Sequence, residues 1–340
     1  MLRNKLLVAL LSSLWTQVLF AQTVVVRDLN QQSFAESVPS GNYSGITHIG
    51  GNNYAVVSDK SATAGFYVFR IDIDSVSGRI KSVINKGFYG DTLRNADCEG
   101  IVYVPETKTF FISCESDNSV AEYSLSGLAT GRRLAVPSIF HGCAGNYGLE
   151  ALAFDEENRL FWIMNESPIG MDGRQSTSQN GVKNMLRLQA FGMDLRPRRQ
   201  FVYRMDAPTS RSKASNYVMG VSEIASIGKG RILVLEREAF VPKLKIGAFV
   251  RCKLYEVVPD DSLSVAIDTH ITADTKVLPK RLLYTFTTKL NILSRSFANY
   301  EGMCLGPKLA DGSRTLILVS DSQNNYGGVL KDWFKVFVIR

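Results

Sequence analysis

A hairpin pattern that recurs five times is the feature that most constrains how this chain can fold. In each copy, small or acidic residues open an apolar strand, a turn follows, and a second apolar strand ends in a polar residue. The second copy runs from Cys98-Glu99-Gly100-Ile101 to Ile112-Ser113-Cys114-Glu115. Recurrence of one such unit is the signature of a repeat architecture. The copies span residues 44–59, 98–115, 149–166, 222–236 and 300–321.

Two further strands with alternating hydrophobicity follow each of the first four hairpins, so each unit reads as four antiparallel strands, which is a propeller blade. The fifth unit has only Trp333 to Ile339 after its hairpin, and the N-terminal strand Thr23 to Arg27 is left to complete it. We therefore predict an all-β fold: a single β-propeller of five four-stranded blades, closed into a ring by the N-terminal strand. The alternative is six blades, with another in residues 167–217 or 258–297.

The first 21 residues differ from the rest of the chain. Arg3 and Lys5 precede an apolar run from Leu6 through Leu14, and Ala21 follows a second short apolar stretch. A charged start, a short apolar segment and a small final residue predict a secretory signal peptide over 1–21. Polar residues interrupt the run, which is too short for a membrane span. We expect an exported protein, periplasmic or extracellular, whose mature propeller domain covers 22–340.

Charge and cysteine content narrow the classes of partner. The formal net charge of +7 falls to +5 when Arg3 and Lys5 are removed, which is too diffuse to predict a nucleic-acid groove. We expect a monomer that takes a small-molecule or anionic ester substrate.

Five cysteines leave at least one without an intramolecular partner, and Cys98 and Cys114 flank a hairpin where they could face each other. Connectivity does not follow from the sequence.

Acidic residues recur where the hairpins begin and end. The start of an inner blade strand and the end of the next strand reach the same mouth of the channel, so nine carboxylates are predicted to gather there. Such crowding needs bound cations or raised pKa values, and Ca²⁺ suits oxygen ligands best. The alternative is structural: each inner Glu could accept backbone N–H groups of the next blade. The nine are Asp59, Glu99, Glu115, Glu150, Glu166, Glu223, Glu236, Glu301 and Asp321.

At these repeats the sequence resembles the phytase-like family, named for an esterase-like activity of phytase and found in secreted bacterial proteins. The resemblance implies a β-propeller with phosphoester or ester hydrolase activity. The Asp-Asp-Pro-Ala motif of calcium-dependent propeller phytases is absent, so inositol phosphate is not implied as the substrate. The matching stretches include Tyr43-Ser44-Gly45-Ile46, Asp97-Cys98-Glu99-Gly100-Ile101, Asn146-Tyr147-Gly148-Leu149-Glu150, Gly220-Val221-Ser222-Glu223-Ile224 and Asn299-Tyr300-Glu301-Gly302.

These observations lead to one main hypothesis, an exported Ca²⁺-dependent hydrolase that uses a metal-activated water. The predicted catalytic residues are Glu150, Glu223 and Lys60, with Lys60 steadying an anionic substrate or simply pairing with its acidic neighbours. The predicted metal ligands are a subset of Asp59, Glu99, Glu150, Glu166, Glu223, Glu301 and Asp321.

Two alternatives remain open at the level of sequence. One is a lactonase-type propeller with a central Ca²⁺ held by Glu99, Asn165, Glu223 and Asp321. The other is a non-catalytic binding module for a glycan, a peptide or a partner protein.

Overall fold

A computed structural model describes residues 22–143, 148–291, 295–325 and 328–340. The predicted signal peptide, residues 1–21, lies outside the described residues, as do Asn146 and Tyr147 of one matching stretch. Within the described ranges, no helix has the length and apolar character needed to cross a membrane.

The described residues form five antiparallel sheets, and regular helix is limited to three short 3₁₀ segments at Ser138–Gly142, Gly170–Asp172 and Asp261–Leu263. Blade one contains β3 (Tyr43–Gly50), β4 (Asn53–Ser58), β5 (Thr63–Ile73) and β6 (Ile80–Arg94). Blade two contains β7 (Cys98–Val104), β8 (Thr109–Cys114), β9 (Ser119–Tyr123) and β10 (Ala129–Arg133). Blade three contains β11 (Leu149–Asp155), β12 (Leu160–Asn165), β13 (Met185–Phe191) and β14 (Pro197–Arg204).

Blade four contains β15 (Asn216–Gly228), β16 (Arg231–Val241), β17 (Phe249–Val257) and β18 (Lys280–Lys289). Blade five contains β19 (Asn299–Lys308), β20 (Arg314–Asp321) and β21 (Trp333–Ile339), completed by the N-terminal β1 (Val25–Asp28). A short strand, β2 (Gln32–Ser33), also pairs with β21. The prediction of an all-β propeller with five blades, closed by the N-terminal strand, is confirmed.

Packing between blades explains why their strands are so apolar. Each blade is covered on both faces by its neighbours, so side chains on both sides of a strand are buried. Trp162 of blade three, for example, lies in one buried cluster with Ile224 and Val234 of blade four. Inner strands approach so closely that a Cβ added at Gly100 would lie 2.6 Å from the Glu150 carbonyl oxygen. Glycine is therefore required there for steric reasons.

Candidate functional site

Each inner strand carries an irregularity in its pairing with the next strand, near its first residues in blades one, two, three and five and in mid-strand in blade four. In blade three the pairing skips Glu150, whose two neighbours pair with consecutive residues of β12. In blade two the pairing shifts between Cys98 and Ile101. The backbone N–H of Gly100 donates a hydrogen bond to the hydroxyl of Ser113 on the opposing strand, so the extra residue is Glu99. An extra residue of this kind is a β-bulge, which re-aims its side chain. The bulged residues of the five blades are Ser44, Glu99, Glu150, Ser222 and Glu301.

The bulge in blade four separates Glu223 from the other inner glutamates. Because Ser222 is the bulged residue, Glu223 lies one position further along the channel. Its buried carboxylate accepts the backbone N–H groups of Leu152 and Ile224, both at 3.0 Å. The backbone of Met303 in blade five also donates to it, and burial raises the pKa of Glu223. Glu223 therefore has the structural role that the sequence left open, because its hydrogen bonds connect blades three, four and five.

Glu236 also departs from its predicted place. It pairs directly with Val221, so its side chain points away from the mouth into the space between blades three and four. There it accepts the Tyr203 hydroxyl at 2.7 Å and forms an ion pair with Lys280. The next residue, Arg237, takes the position at the mouth. The expectation that nine carboxylates gather at one mouth was therefore wrong for Glu223 and Glu236.

Arg237 is the buried cation of the mouth. Its guanidinium forms ion pairs with Glu166, at 2.7 Å, and with Glu301, and it donates to the Asn299 side chain at 3.0 Å. Only 6% of its side chain is exposed. The negative field of Glu301, Glu166 and Glu150 raises the pKa of Arg237 despite burial, which acts to lower it. The adjacent Glu236 is not among its ion-pair partners.

A second group at the mouth contains an acid that sequence reasoning missed. Asp59, Asp97 and Glu99 each offer a carboxylate oxygen, and these oxygens lie within 4.8 Å of one another. The Lys60 ammonium bridges Asp59, at 2.8 Å, and Asp97, at 2.7 Å. The Oδ1 atom of Asp59 is buried and, among the described residues, has no hydrogen-bond partner. Asp97 precedes its strand and has a left-handed backbone conformation, with φ of 58°, so the repeat pattern did not identify it.

The group around Arg237 and the group around Lys60 together form the acidic mouth, which contains eight carboxylates and two cations. Glu115 accepts the backbone N–H of Gly148 at 2.8 Å, and Asp321 accepts that of Gln323 at 2.6 Å. The charges of these acids act on one another around the ring. The acidic mouth comprises Asp59, Lys60, Asp97, Glu99, Glu115, Glu150, Glu166, Arg237, Glu301 and Asp321.

Burial raises the pKa values of five mouth carboxyls, and neighbouring carboxylates raise them further; the five are Asp59, Glu99, Glu115, Glu150 and Glu301. The pKa of Asp59 is raised to about 6, that of Glu115 to about 7 and that of Glu301 to about 8. Glu99 and Glu150 have pKa values raised well above the ordinary one, by burial first and then by nearby acids. Two cations do not neutralise eight acids, so part of this group keeps protons near neutral pH.

The ligand set of the lactonase-type alternative is not assembled. The side chain of Asn165 is fully buried; its oxygen accepts the backbone N–H of Arg187 at 2.8 Å and its amide donates to the Ser167 carbonyl at 2.6 Å. Glu223 is held by backbone N–H groups, as described above. Of that set, Glu99 and Asp321 remain at the acidic mouth.

The opposite end of the channel is wide, and both apolar and polar side chains line it. A cavity of about 510 Å³ opens there, with aliphatic walls from the inner strands. His48 lines it, and its ring contacts the Gly51 carbonyl at 2.8 Å. Arg314 is the one arginine among its lining residues in the described part of the chain. Three acids, Asp155, Glu156 and Glu157, also line this end.

A comparison with known protein families matches most of the chain. The family model described as "Phytase-like: Esterase-like activity of phytase" matches residues 38–326. The chain belongs to the phytase-like family. A comparison of this phytase-like chain with curated protein sequences finds no match.

Several solved structures match most of this chain at low sequence identity. A streptogramin B lyase structure has 13% identity and a TM-score of 0.38, with 92% of this chain and 98% of that chain covered. A tail fiber of Staphylococcus aureus phage P68 has 12% identity and a TM-score of 0.40, with coverage of 94% and 52%. Hydrazine synthase of Kuenenia stuttgartiensis has 7% identity and a TM-score of 0.36, with coverage of 86% and 80%.

The donor set of this phytase-like propeller fits a hard cation. Ca²⁺ takes six to eight oxygen ligands, from carboxylates, carbonyls and water. Asp59, Asp97 and Glu99 supply three carboxylates at close range, and the partnerless Oδ1 of Asp59 is a buried acceptor without a donor. Two of these carboxylates already hold the ammonium of Lys60, so a positive charge is accommodated at this point.

Proposed function

We propose that this phytase-like propeller is an exported, Ca²⁺-dependent hydrolase that cleaves a phosphoester or a related ester at its acidic mouth. The observation that carries the proposal is the group of Asp59, Asp97 and Glu99, whose carboxylate oxygens lie within 4.8 Å of one another while Oδ1 of Asp59 lacks a partner. A purely structural acid cluster would have each oxygen satisfied by a donor.

The ion would be held by Asp59, Asp97 and Glu99. Asp321 is close enough to raise the pKa of Asp59, and Glu301 is close enough to raise that of Glu99, so both would contribute negative charge. A bound Ca²⁺ would neutralise charge on the substrate oxygens and favour ionisation of a bound water.

Glu150 is suited to move a proton. Its carboxyl is hydrogen-bonded to Glu166, which in turn is held by Arg237 at 2.7 Å. Because Arg237 stabilises the charge of Glu166, the proton of the pair resides on Glu150. A carboxyl with a raised pKa, in a site open to the channel mouth, can donate its proton to a leaving oxygen and recover it from water.

Lys60 would hold the anionic part of the substrate. Its side chain is 54% exposed, the most exposed among the cations of the mouth in the described residues. Burial lowers its pKa, but its hydrogen bonds to Asp59 and Asp97 outweigh this and raise the pKa overall, so Lys60 stays charged. When these acids bind another cation, the flexible ammonium is free to turn toward substrate oxygens.

The test is a side-by-side assay of the purified protein with p-nitrophenyl phosphate, phytate and a lactone, in Ca²⁺ and in EDTA. We expect Ca²⁺-dependent turnover of a phosphoester or a related ester. Turnover of the lactone alone would favour the lactonase-type alternative. If the protein binds no Ca²⁺ by calorimetry and EDTA leaves its Tm unchanged, the hydrolase proposal fails. That result would favour the alternative of a non-catalytic binding module.

A further inference from the structure

The five buried cysteines are not distributed evenly. Cys143, Cys252 and Cys304 lie in three separate hydrophobic clusters, whereas Cys98 and Cys114 share a fourth. The Sγ atoms of Cys98 and Cys114 are 2.7 Å apart, and both side chains are almost fully buried. Two of the five thiols are therefore placed against each other, and the other three are kept apart.

The backbone around this pair has the geometry that a cross-strand disulfide needs. Cys98 and Cys114 are directly opposite each other on β7 and β8. The N–H of Cys98 donates to the Asn95 side chain rather than across the ladder, while the N–H of Glu115 donates to the Asp97 carbonyl at 2.8 Å. The cysteines therefore occupy a non-hydrogen-bonded pair, in which Cα atoms lie about 4.5 Å apart, within the range that disulfides span.

In blades three and five, the residue that ends the second strand at this position is hydrogen-bonded to a later part of its own blade. Ser320 accepts the Trp333 N–H at 2.8 Å, and Asn165 donates to the Ser167 carbonyl at 2.6 Å. In blade two, the cysteine pair takes this place.

We propose that Cys98 and Cys114 form a disulfide that fixes the blade-two side of the acidic mouth. In the reaction, both thiols lose their protons and one S–S bond forms, while a disulfide oxidant such as oxidised glutathione accepts two electrons and two protons and becomes two thiols. The link joins the residue between Asp97 and Glu99 to the residue before Glu115. It therefore holds the backbone positions of three mouth acids. Its consequence for ion binding rests on the proposed function; the disulfide itself does not.

Thiol counting on the wild-type protein tests the proposal without any variant. The protein is exposed to oxidised glutathione, denatured without reductant and alkylated with iodoacetamide, and its mass is measured. We expect three adducts, at Cys143, Cys252 and Cys304, and five adducts after prior reduction, with peptide mapping that joins Cys98 to Cys114. Five adducts without reductant, or a cross-link between any other pair, would overturn it.

Two variants and a thermal readout sharpen the result. Cys98→Ser should raise the unreduced count to four by exposing Cys114, whereas Cys252→Ser should lower it to two and keep the cross-link. Reduction of the wild-type protein should lower its Tm by about 5 °C, as expected for loss of one disulfide in a chain of this size. An unchanged Tm after verified reduction would contradict the fixing role. Absence of Ca²⁺ binding in both redox states would count against the proposed function alone.

Discussion

The two ends of the central channel carry acids of two different kinds. At the wide end, Asp155 accepts the N–H of Asn158 at 3.1 Å and its side-chain amide at 2.9 Å, so it closes the turn after its own strand. Glu157 accepts the backbone N–H of Lys229 in the neighbouring blade. These carboxylates have local donors and therefore stabilise the turns that connect the strands.

At the acidic mouth, acids outnumber donors. Arg237 and Lys60 are shared among several carboxylates, and one oxygen of Asp59 has no partner within the described residues. Burial without full compensation raises the pKa values there. An acid whose donors are missing is available to bind a ligand, whereas an acid whose donors come from the turn backbone has a structural role.

The largest effect is expected from removing the buried cation of the mouth. Arg237→Leu leaves Glu166 and Glu301 without the cation that stabilises their charged forms, and we expect a loss of about 3–5 kcal/mol of unfolding free energy at pH 8. The matched control is Arg159→Leu, whose partner Glu106 is, like Arg159, more than half exposed. That change should cost less than about 1 kcal/mol by urea denaturation. Equal losses in the two variants would remove the contrast between buried and exposed pairs.

Next in size is the loss of the proton carrier. Glu150→Gln keeps the shape of the side chain but cannot exchange a proton, so we expect kcat to fall by about 100-fold or more. Glu156→Gln changes an exposed acid at the wide end of the channel and should leave kcat unchanged. Both rates are measured on the ester that the wild-type protein turns over. Full activity of the Glu150 variant would exclude this residue from the chemistry.

A smaller effect is expected on ion affinity. Asp59→Asn removes one charged ligand and should weaken Ca²⁺ binding by roughly tenfold or more in calorimetric titration, because ligand charge count sets affinity in such sites. Glu157→Gln, at the wide end, should bind Ca²⁺ as the wild-type protein does. A weaker Ca²⁺ affinity in the Glu157 variant, with no change in the Asp59 variant, would show that the ion binds at the wide end of the channel and would contradict the proposal.

The smallest expected effect is on the pH dependence of stability. The pKa of Glu115 is about 7 and that of Glu301 about 8 in the folded protein, above the ordinary value of 4.5. Between these limits the folded state binds more protons than the unfolded state, so its stability falls as pH rises. In EDTA, Tm should drop by a few degrees from pH 6 to pH 8, and Ca²⁺ should restore more of it at pH 8. A Tm in EDTA that rises over this range would contradict the raised pKa values.

The sequence was sufficient for the fold because the repeat and the strand periodicity are both strong signals. Five hairpins, four with two added strands, leave only the N-terminal strand to complete the last blade, and edge pairing then closes the ring. The periodicity also placed most of the acids correctly at one mouth.

The details of the site depended on features that periodicity does not contain. A one-residue bulge shift moved Glu223 away from the mouth and replaced Glu236 by Arg237. Alignment on the shared serine, Ser44 in blade one and Ser222 in blade four, would have revealed this shift. Asp97 lies before β7, outside the strand periodicity. It comes beside Asp59 because its backbone turns in a left-handed conformation, which the periodicity does not predict.

The most direct measurement is a crystal structure of the protein grown with Ca²⁺, with anomalous diffraction used to locate the ion. We expect an anomalous peak at the acidic mouth, about 2.3–2.6 Å from Oδ1 of Asp59 and from carboxylate oxygens of Asp97 or Glu99. A peak among the acids of the wide end, or an acidic mouth without a peak at millimolar Ca²⁺, would contradict it.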